Sequence, residues 1–178
     1  MQLNSLNFDR SVYYTIRQGL LDAGFKNESD ELLVTIVDGD LVMHLLNEAE
    51  EEDADLDVLA ESTILPAIAI MESGEVYTPG GLGGTTKNRI SYDISVYGKT
   101  PSESKEMAEA ICQTLRNKIT VYDYTMGDPD TVGFPLDGQL IGEFSVQDLR
   151  NIRPGVPTLS LLDSVRRDVS FSIVFFED

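Results

Sequence analysis

Residues 89–97 read RISYDISVY, and the fold of the chain turns on them. Ile90, Tyr92, Ile94 and Val96 fall on one side, and Ser91, Asp93 and Ser95 on the other. That period of two marks an antiparallel strand with one buried and one wet face. Two residues after Gly98 a helix is signalled. Thr100 stands as N-cap, Pro101 takes the first helical position, where a missing N–H costs nothing, and Glu103 completes a capping box. Met107, Ala108, Ile111 and Leu115 then recur at helical spacing as a buried stripe, with Cys112 beside it.

Upstream, Ile64 to Met71 (ILPAIAIM) is a second apolar strand, and Pro66 puts it at an edge or at the strand's beginning. Between the two strands, Glu72 to Asn88 carries five of the fourteen glycines. This predicts a hairpin with an extended, glycine-rich arm over about residues 72–89. Downstream, Ile119 to Tyr124 can form a strand. The segment from Asp123 to Arg167 holds four of the seven prolines and little periodicity, so an ordered but irregular excursion is expected over about 123–167. The chain closes on a second alternating strand, with Val169, Phe171, Ile173 and Phe175 on one face. At the other end, Asn7 is the expected N-cap of a helix over Phe8 to Ala23, carrying Val12, Tyr13, Ile16, Leu20 and Leu21, with Gly24 as its C-terminal cap. Glu31 to Val37 reads as a strand, and Leu41 to about Ala49 as a weak helix. The expected fold is a single α+β domain spanning residues 1–178, a mostly antiparallel sheet of four to five strands with two main helices on one face.

The composition bounds the function. A chain of 178 residues buries enough surface to fold without disulfides, and its one cysteine can form no internal bridge. Thirteen basic against thirty-one acidic residues give a net charge of −18, a field that repels nucleic acid and anionic membranes. The residues at the start, MQLNS, lack a basic region followed by an apolar core, and no apolar run approaches the length of a membrane helix. A soluble protein of a reducing compartment is expected, with no membrane partner.

Catalytic and metal motifs fail one by one. Asp53, Asp55 and Asp57 have the spacing that opens a calcium loop, but Val58 stands where the turn glycine belongs and Ile64 where a bidentate Glu is required. The run EAEEEDADLD, with seven acids from Glu48 to Asp57, reads as a solvated loop. The only histidine, His44, lies among apolar neighbours, and with Cys112 it supplies two of the four ligands a structural zinc needs. The segment from Gly80 to Lys87 lacks the Gly-Lys-Ser/Thr end of a phosphate loop, and a strand follows it where a helix is needed. Ser102-x-x-Lys105 has no companion motifs and is accounted for as a helix's first turn. Neither an enzyme nor a cofactor is expected.

What remains is apolar and basic residues on segments with no evident core to fill. The glycine-rich arm carries Val76, Tyr77 and Leu82. The proline-rich excursion carries Phe134, Leu136, Leu140, Ile141, Phe144, Leu159, Leu161 and Leu162. Basic residues gather at Lys87 and Arg89, and again at Arg150, Arg153, Arg166 and Arg167. Exposed apolar segments are covered either by the same chain or by another subunit. Val76, Tyr77, Leu82, Lys87, Arg89, Arg150, Arg153, Arg166 and Arg167 are therefore the candidate subunit-interface residues.

From Leu65 to about Leu115 the sequence resembles the tail-terminator and tail-completion proteins of tailed bacteriophages. The strand LPAIAIMESGEV leads through a loop to the alternating strand NRISYDISVYGKT and directly to the helix PSESKEMAEAICQTLRNKI. The opening helix FDRSVYYTIRQGLLDAG and the closing strand RRDVSFSIVFFED stand in the family's order. The acidic insert at Glu48 to Asp57 and the excursion at Asp123 to Arg167 are larger than in compact members. The resemblance implies a virion protein of the neck or tail, assembled in the host cytoplasm. It would form a ring, commonly of six copies, that ends the tail tube and meets a head-side connector or head-completion protein. Its partners would be itself, the tail tube protein and that connector, with DNA only as passing cargo. A negatively charged lumen would let DNA through without adhering. The alternatives are another neck or head-completion protein of the same fold and, of a different class, a small cytoplasmic ligand-binding or regulatory α+β domain.

Overall fold

The computed structural model describes residues 5–39, 65–79, 86–124, 140–153 and 165–177. The expected helix at Leu41 to Ala49, His44, the acidic run and Leu82 lie outside the described residues, as do Phe134, Leu136, Leu159, Leu161 and Leu162. In chain order the elements are α1 (Ser5–Asp22), β1 (Thr35–Asp38), β2 (Ala67–Pro79), β3 (Thr86–Tyr97), α2 (Pro101–Thr114), β4 (Lys118–Tyr122), β5 (Leu140–Ile152) and β6 (Arg166–Glu177). The strands form one sheet in the order β1-β2-β3-β6-β5-β4. The β1–β2 pair is parallel, and every other pairing is antiparallel. Among the described residues the fold is thus α+β with two helices, and its sheet is mixed and six-stranded.

The alternating strands lie at its centre. β3 and β6 pair along their whole length, Thr86 opposite Glu177 and Tyr97 opposite Arg166. Ile90, Tyr92, Ile94 and Val96 are buried on one face with Val169, Phe171 and Ile173. Against them pack Phe8, Val12, Ile16 and Leu20 of α1, and Met107, Ala108 and Ile111 of α2 with Leu115 just beyond it. The helix start at Thr100 forms as expected: the Thr100 hydroxyl accepts from the Glu103 N–H at 3.2 Å. The Glu103 carboxylate reaches one residue beyond the cap, to the Lys99 N–H. At the end of α1, Gly24 adopts φ 93°. Gly24 and Phe25 donate to the carbonyls of Leu21 and Leu20, the paired bonds that close a helix around a left-handed residue.

Four expectations are corrected. Helix α1 begins at Ser5, so Asn7 lies inside it as a fully buried residue and is not its N-cap. The strand at Glu31 to Val37 shortens to Thr35–Asp38. The residues before it form a tight turn around Asn27, whose side-chain oxygen accepts from Ser29 and Glu31, while Lys26 bridges Leu32. The arm at 72–89 is largely regular: β2 and β3 stay paired out to Pro79 opposite Thr86. Finally, the irregular excursion contains β5, a thirteen-residue strand between β4 and β6. No helix among the described residues is long and apolar enough to cross a membrane.

Candidate assembly surfaces

Helices cover one sheet face; the other is mostly polar. There the rows run across the strands as Met71–Asp93–Ser170–Arg150, Gly74–Ser91–Ser172–Gln147 and Val76–Arg89–Val174–Ser145. Small side chains on the middle row leave a shallow open depression of about 220 Å³, edged by Arg89, Asp93, Asp148 and Arg150. The Ser91 and Ser172 hydroxyls lie 3.1 Å apart on its floor. Arg89 crosses this floor, donating through Nε to Ser172 at 3.0 Å and through its terminal nitrogen to Asp148 at 2.6 Å. Asp148 reaches back because it sits in a bulge of β5, at φ 53°, where the register shifts between Gln147 and Arg150. At the β1 end of the same face, Val37, Ala67, Ala69 and Tyr97 form a small buried apolar cluster.

The candidate interface residues divide among these surfaces. Val76 and Tyr77 stand more than half exposed on the outer part of β2, 55% and 59%. Lys87 is exposed two residues along β3 from Arg89, opposite Phe176, which is 67% exposed. Arg150 and Arg153 are exposed at the end of β5. Arg166 binds within its own subunit: Nε meets Asp168 at 2.7 Å and the guanidinium lies 5.8 Å from the Tyr97 ring centre. Arg167 follows on the helix-covered side, opposite Val96. The candidates thus separate onto two regions, the outer end of β2 with β3 and the far end of β5. Exposed Phe176, Met71, Leu140 and Ile152 are not among them, for an apolar residue at a strand end has the same local sequence whether its neighbour is core or solvent.

Arg166 carries a prediction of its own. Replacing Arg166 by Glu is expected to lower the stability of the isolated chain by about 1 kcal/mol, through loss of a half-buried ion pair and an aromatic contact. Thermal unfolding of the separated subunit checks this. A melting temperature equal to the wild type's would free Arg166 for a role between subunits.

The ionisable groups beneath these surfaces shift in ways their surroundings explain. Burial, reinforced by the facing Asp9 carboxylate, holds the Tyr92 hydroxyl far above the ordinary phenol range, and it donates to Asp9 at 2.8 Å. Partial burial raises the Glu72 carboxyl, and Asp9 and Glu75 raise it further. Burial also pushes up the Cys112 thiol, with Glu109 adding to it. No group of metal-binding side chains occurs among the described residues.

Neither a protein-family model nor a curated protein matches this sequence.

Proposed function

We propose that this chain is a structural protein of the head–tail junction of a tailed bacteriophage, a tail terminator working as a ring without catalytic activity. The observation that carries the reading is the succession of elements. An opening helix, a long β2–β3 hairpin, a capped helix directly after it and a closing strand keep the order on which the resemblance rests. Fold alone never gives function, so two further features matter. The regions that bear the unassigned apolar and basic side chains are strand edges and strand ends, where a subunit meets a neighbour. The net charge of −18 suits a ring through which DNA must slide. A neck protein of the same fold would share all of these properties and differ in the face it offers to the tube.

The test is native mass spectrometry of the purified chain at micromolar concentration, followed by negative-stain imaging alone and with tail tubes. A closed ring with a central hole, seated on a tube end, is the expected result. A ring that ignores tube ends would move the assignment to an adjacent neck protein. A chain that stays monomeric and leaves tube ends bare would overturn the proposal.

A further inference from the structure

The two halves of β5 are held in different ways. Leu140 to Ser145 pairs with β4 and sends Phe144 into the core, where its ring lies 5.3 Å from that of Phe8 and 5.9 Å from that of Phe175. The far half, Gln147 to Ile152, pairs among the described residues with β6 alone. That pairing is broken in its middle. Continued straight from Gln147 opposite Ser172, the strand would set Asp148 opposite Phe171 on the helix-covered face, and Leu149 opposite Ser170 on the polar one. An unpaired carboxylate in an apolar core is costly, and the bulge avoids it. The extra residue keeps Asp148 outside, at φ 53°, and turns Leu149 inward against the core. The break in the ladder is therefore dictated by the side chains and cannot anneal away.

Beyond Leu149 nothing apolar anchors the strand: Arg150, Asn151, Ile152 and Arg153 are all exposed. One side-chain tie remains. Arg89 of β3 reaches over β6, donating through Nε to Ser172 at 3.0 Å and through its terminal nitrogen to Asp148 at 2.6 Å. Among the described residues no other side-chain hydrogen bond or ion pair joins Gln147–Arg153 to the sheet. Its two partners are 42% and 50% exposed, so water and salt weaken the pair. A tie of that kind holds a segment without making it permanent.

We infer that Gln147 to Arg153 is a flap that leaves the sheet independently of the core strands, hinged at the bulge and latched by the Arg89–Asp148 pair. Its opening frees the edge of β6 at Asp168 to Ser170, the residues opposite Ile152 to Arg150. Such local openings draw on segments with few buried apolar contacts and exposed backbone hydrogen bonds, as here. The inference stands apart from the ring reading and needs no second copy.

Hydrogen exchange of the full chain, read by mass spectrometry, tests it. In the wild type the slowest amides of residues 147–153 are expected to exchange at least about tenfold faster than those of 169–175, which open only with the whole sheet. Arg89→Gln removes the latch and should speed 147–153 by about fivefold, leaving 140–146 and 169–175 unchanged. Asp148→Asn keeps a residue that tolerates the left-handed conformation and an acceptor for Arg89, so it should speed the same segment by less. It also keeps the test open if Arg89→Gln loses the wild-type circular dichroism. Cleavage by trypsin after Arg150 gives a second readout, since the protease needs the segment out of the sheet, and it should rise in the same order. Equal exchange in 147–153 and 169–175 of the wild type would overturn the flap. Variants that leave 147–153 and cleavage at Arg150 unchanged, or that speed all three segments alike, would overturn the latch.

Discussion

Replacing Gly98 by alanine is expected to destabilise the protein by about 3 kcal/mol, near the top of the range for forcing an atom into packed structure. A Cβ there would lie 2.5 Å from the Ser104 nitrogen and 2.8 Å from the Thr100 carbonyl oxygen. Those two atoms are the donor and acceptor of the first hydrogen bond of α2, 3.1 Å long. The third neighbour, the Glu103 Cβ at 3.1 Å, cannot swing away either, because it is bonded to backbone. Either the first turn of α2 opens or the end of β3 moves, and the latter also strains the bond from the Gly98 N–H to the Val165 carbonyl. In a chain of this size the loss corresponds to roughly 10 °C in melting temperature. Gly24 is the control. It holds φ 93° and has nothing within 4 Å of where a Cβ would stand, so only backbone strain opposes substitution. Asparagine, which tolerates that conformation, should be nearly neutral there. Scanning calorimetry on both variants separates the two causes. Equal, small losses would mean that the approach of β3 to α2 is looser than 2.5 Å implies.

That glycine marks where sequence reading succeeded and where it stopped. The strand before Gly98 and the helix after it were legible because their signals are local: a period of two, then a cap, a proline and a carboxylate at fixed spacing. The tight distance between them was not, since the need for space at Gly98 comes from a backbone six residues on. β5 was hidden for a related reason. Phe144 and Val146 point to the core at the expected spacing, but the bulge at Gln147 to Arg150 makes Leu149, three residues later, the next inward side chain. An inserted residue breaks a period of two without breaking the strand. The one available signal was negative: the prolines at 129, 135, 154 and 157 flank β5 and leave residues 136–153 free of them. β1 eluded the reading by its direction, because a four-residue strand says nothing about whether its partner runs parallel or antiparallel.

Among the candidate residues, exposure was legible at some positions but place in the fold was not. Val76 and Tyr77 stood out as apolar residues of a glycine-rich stretch, and they are indeed exposed. That the stretch is a strand paired with β3 as far as Pro79 follows from the sheet register, which no local signal carries. Likewise Arg89 and Arg166 were grouped with Lys87 and Arg167 by sign and proximity in sequence. Their carboxylate partners, Asp148 and Asp168, come into reach through the sheet register and the bulge. Pairwise charge neutralisation is a property of the folded surface, which explains why charge clusters in sequence overstate the charge available to a partner.

Changing Asn7 to serine should cost about 2 kcal/mol, whereas at a helix N-cap the same change is nearly neutral, serine and asparagine being about equal there. Asn7 is fully buried in the first turn of α1, and its side-chain oxygen accepts the Tyr124 N–H at 2.9 Å across 117 residues of sequence. Serine has a shorter side chain and leaves that amide without its acceptor, and an orphaned buried donor costs about 1–3 kcal/mol. Ser11, one turn on, accepts from Tyr122 in the same way, so the two side chains act as a pair of clasps along the end of β4. The loss should therefore be local as well as global. Amide hydrogen exchange at Tyr124 is expected to speed up more than at β3 or β6 residues such as Ile94, which open only with the whole fold. Asn7→Ser with full stability would return Asn7 to the role of a simple cap. Loss of stability with unchanged exchange at Tyr124 would mean that the residue matters for packing and that the Tyr124 N–H is held by other means. The expected pair of results, lower stability and a faster Tyr124, would establish that α1 holds the end of β4 in place through these two backbone hydrogen bonds.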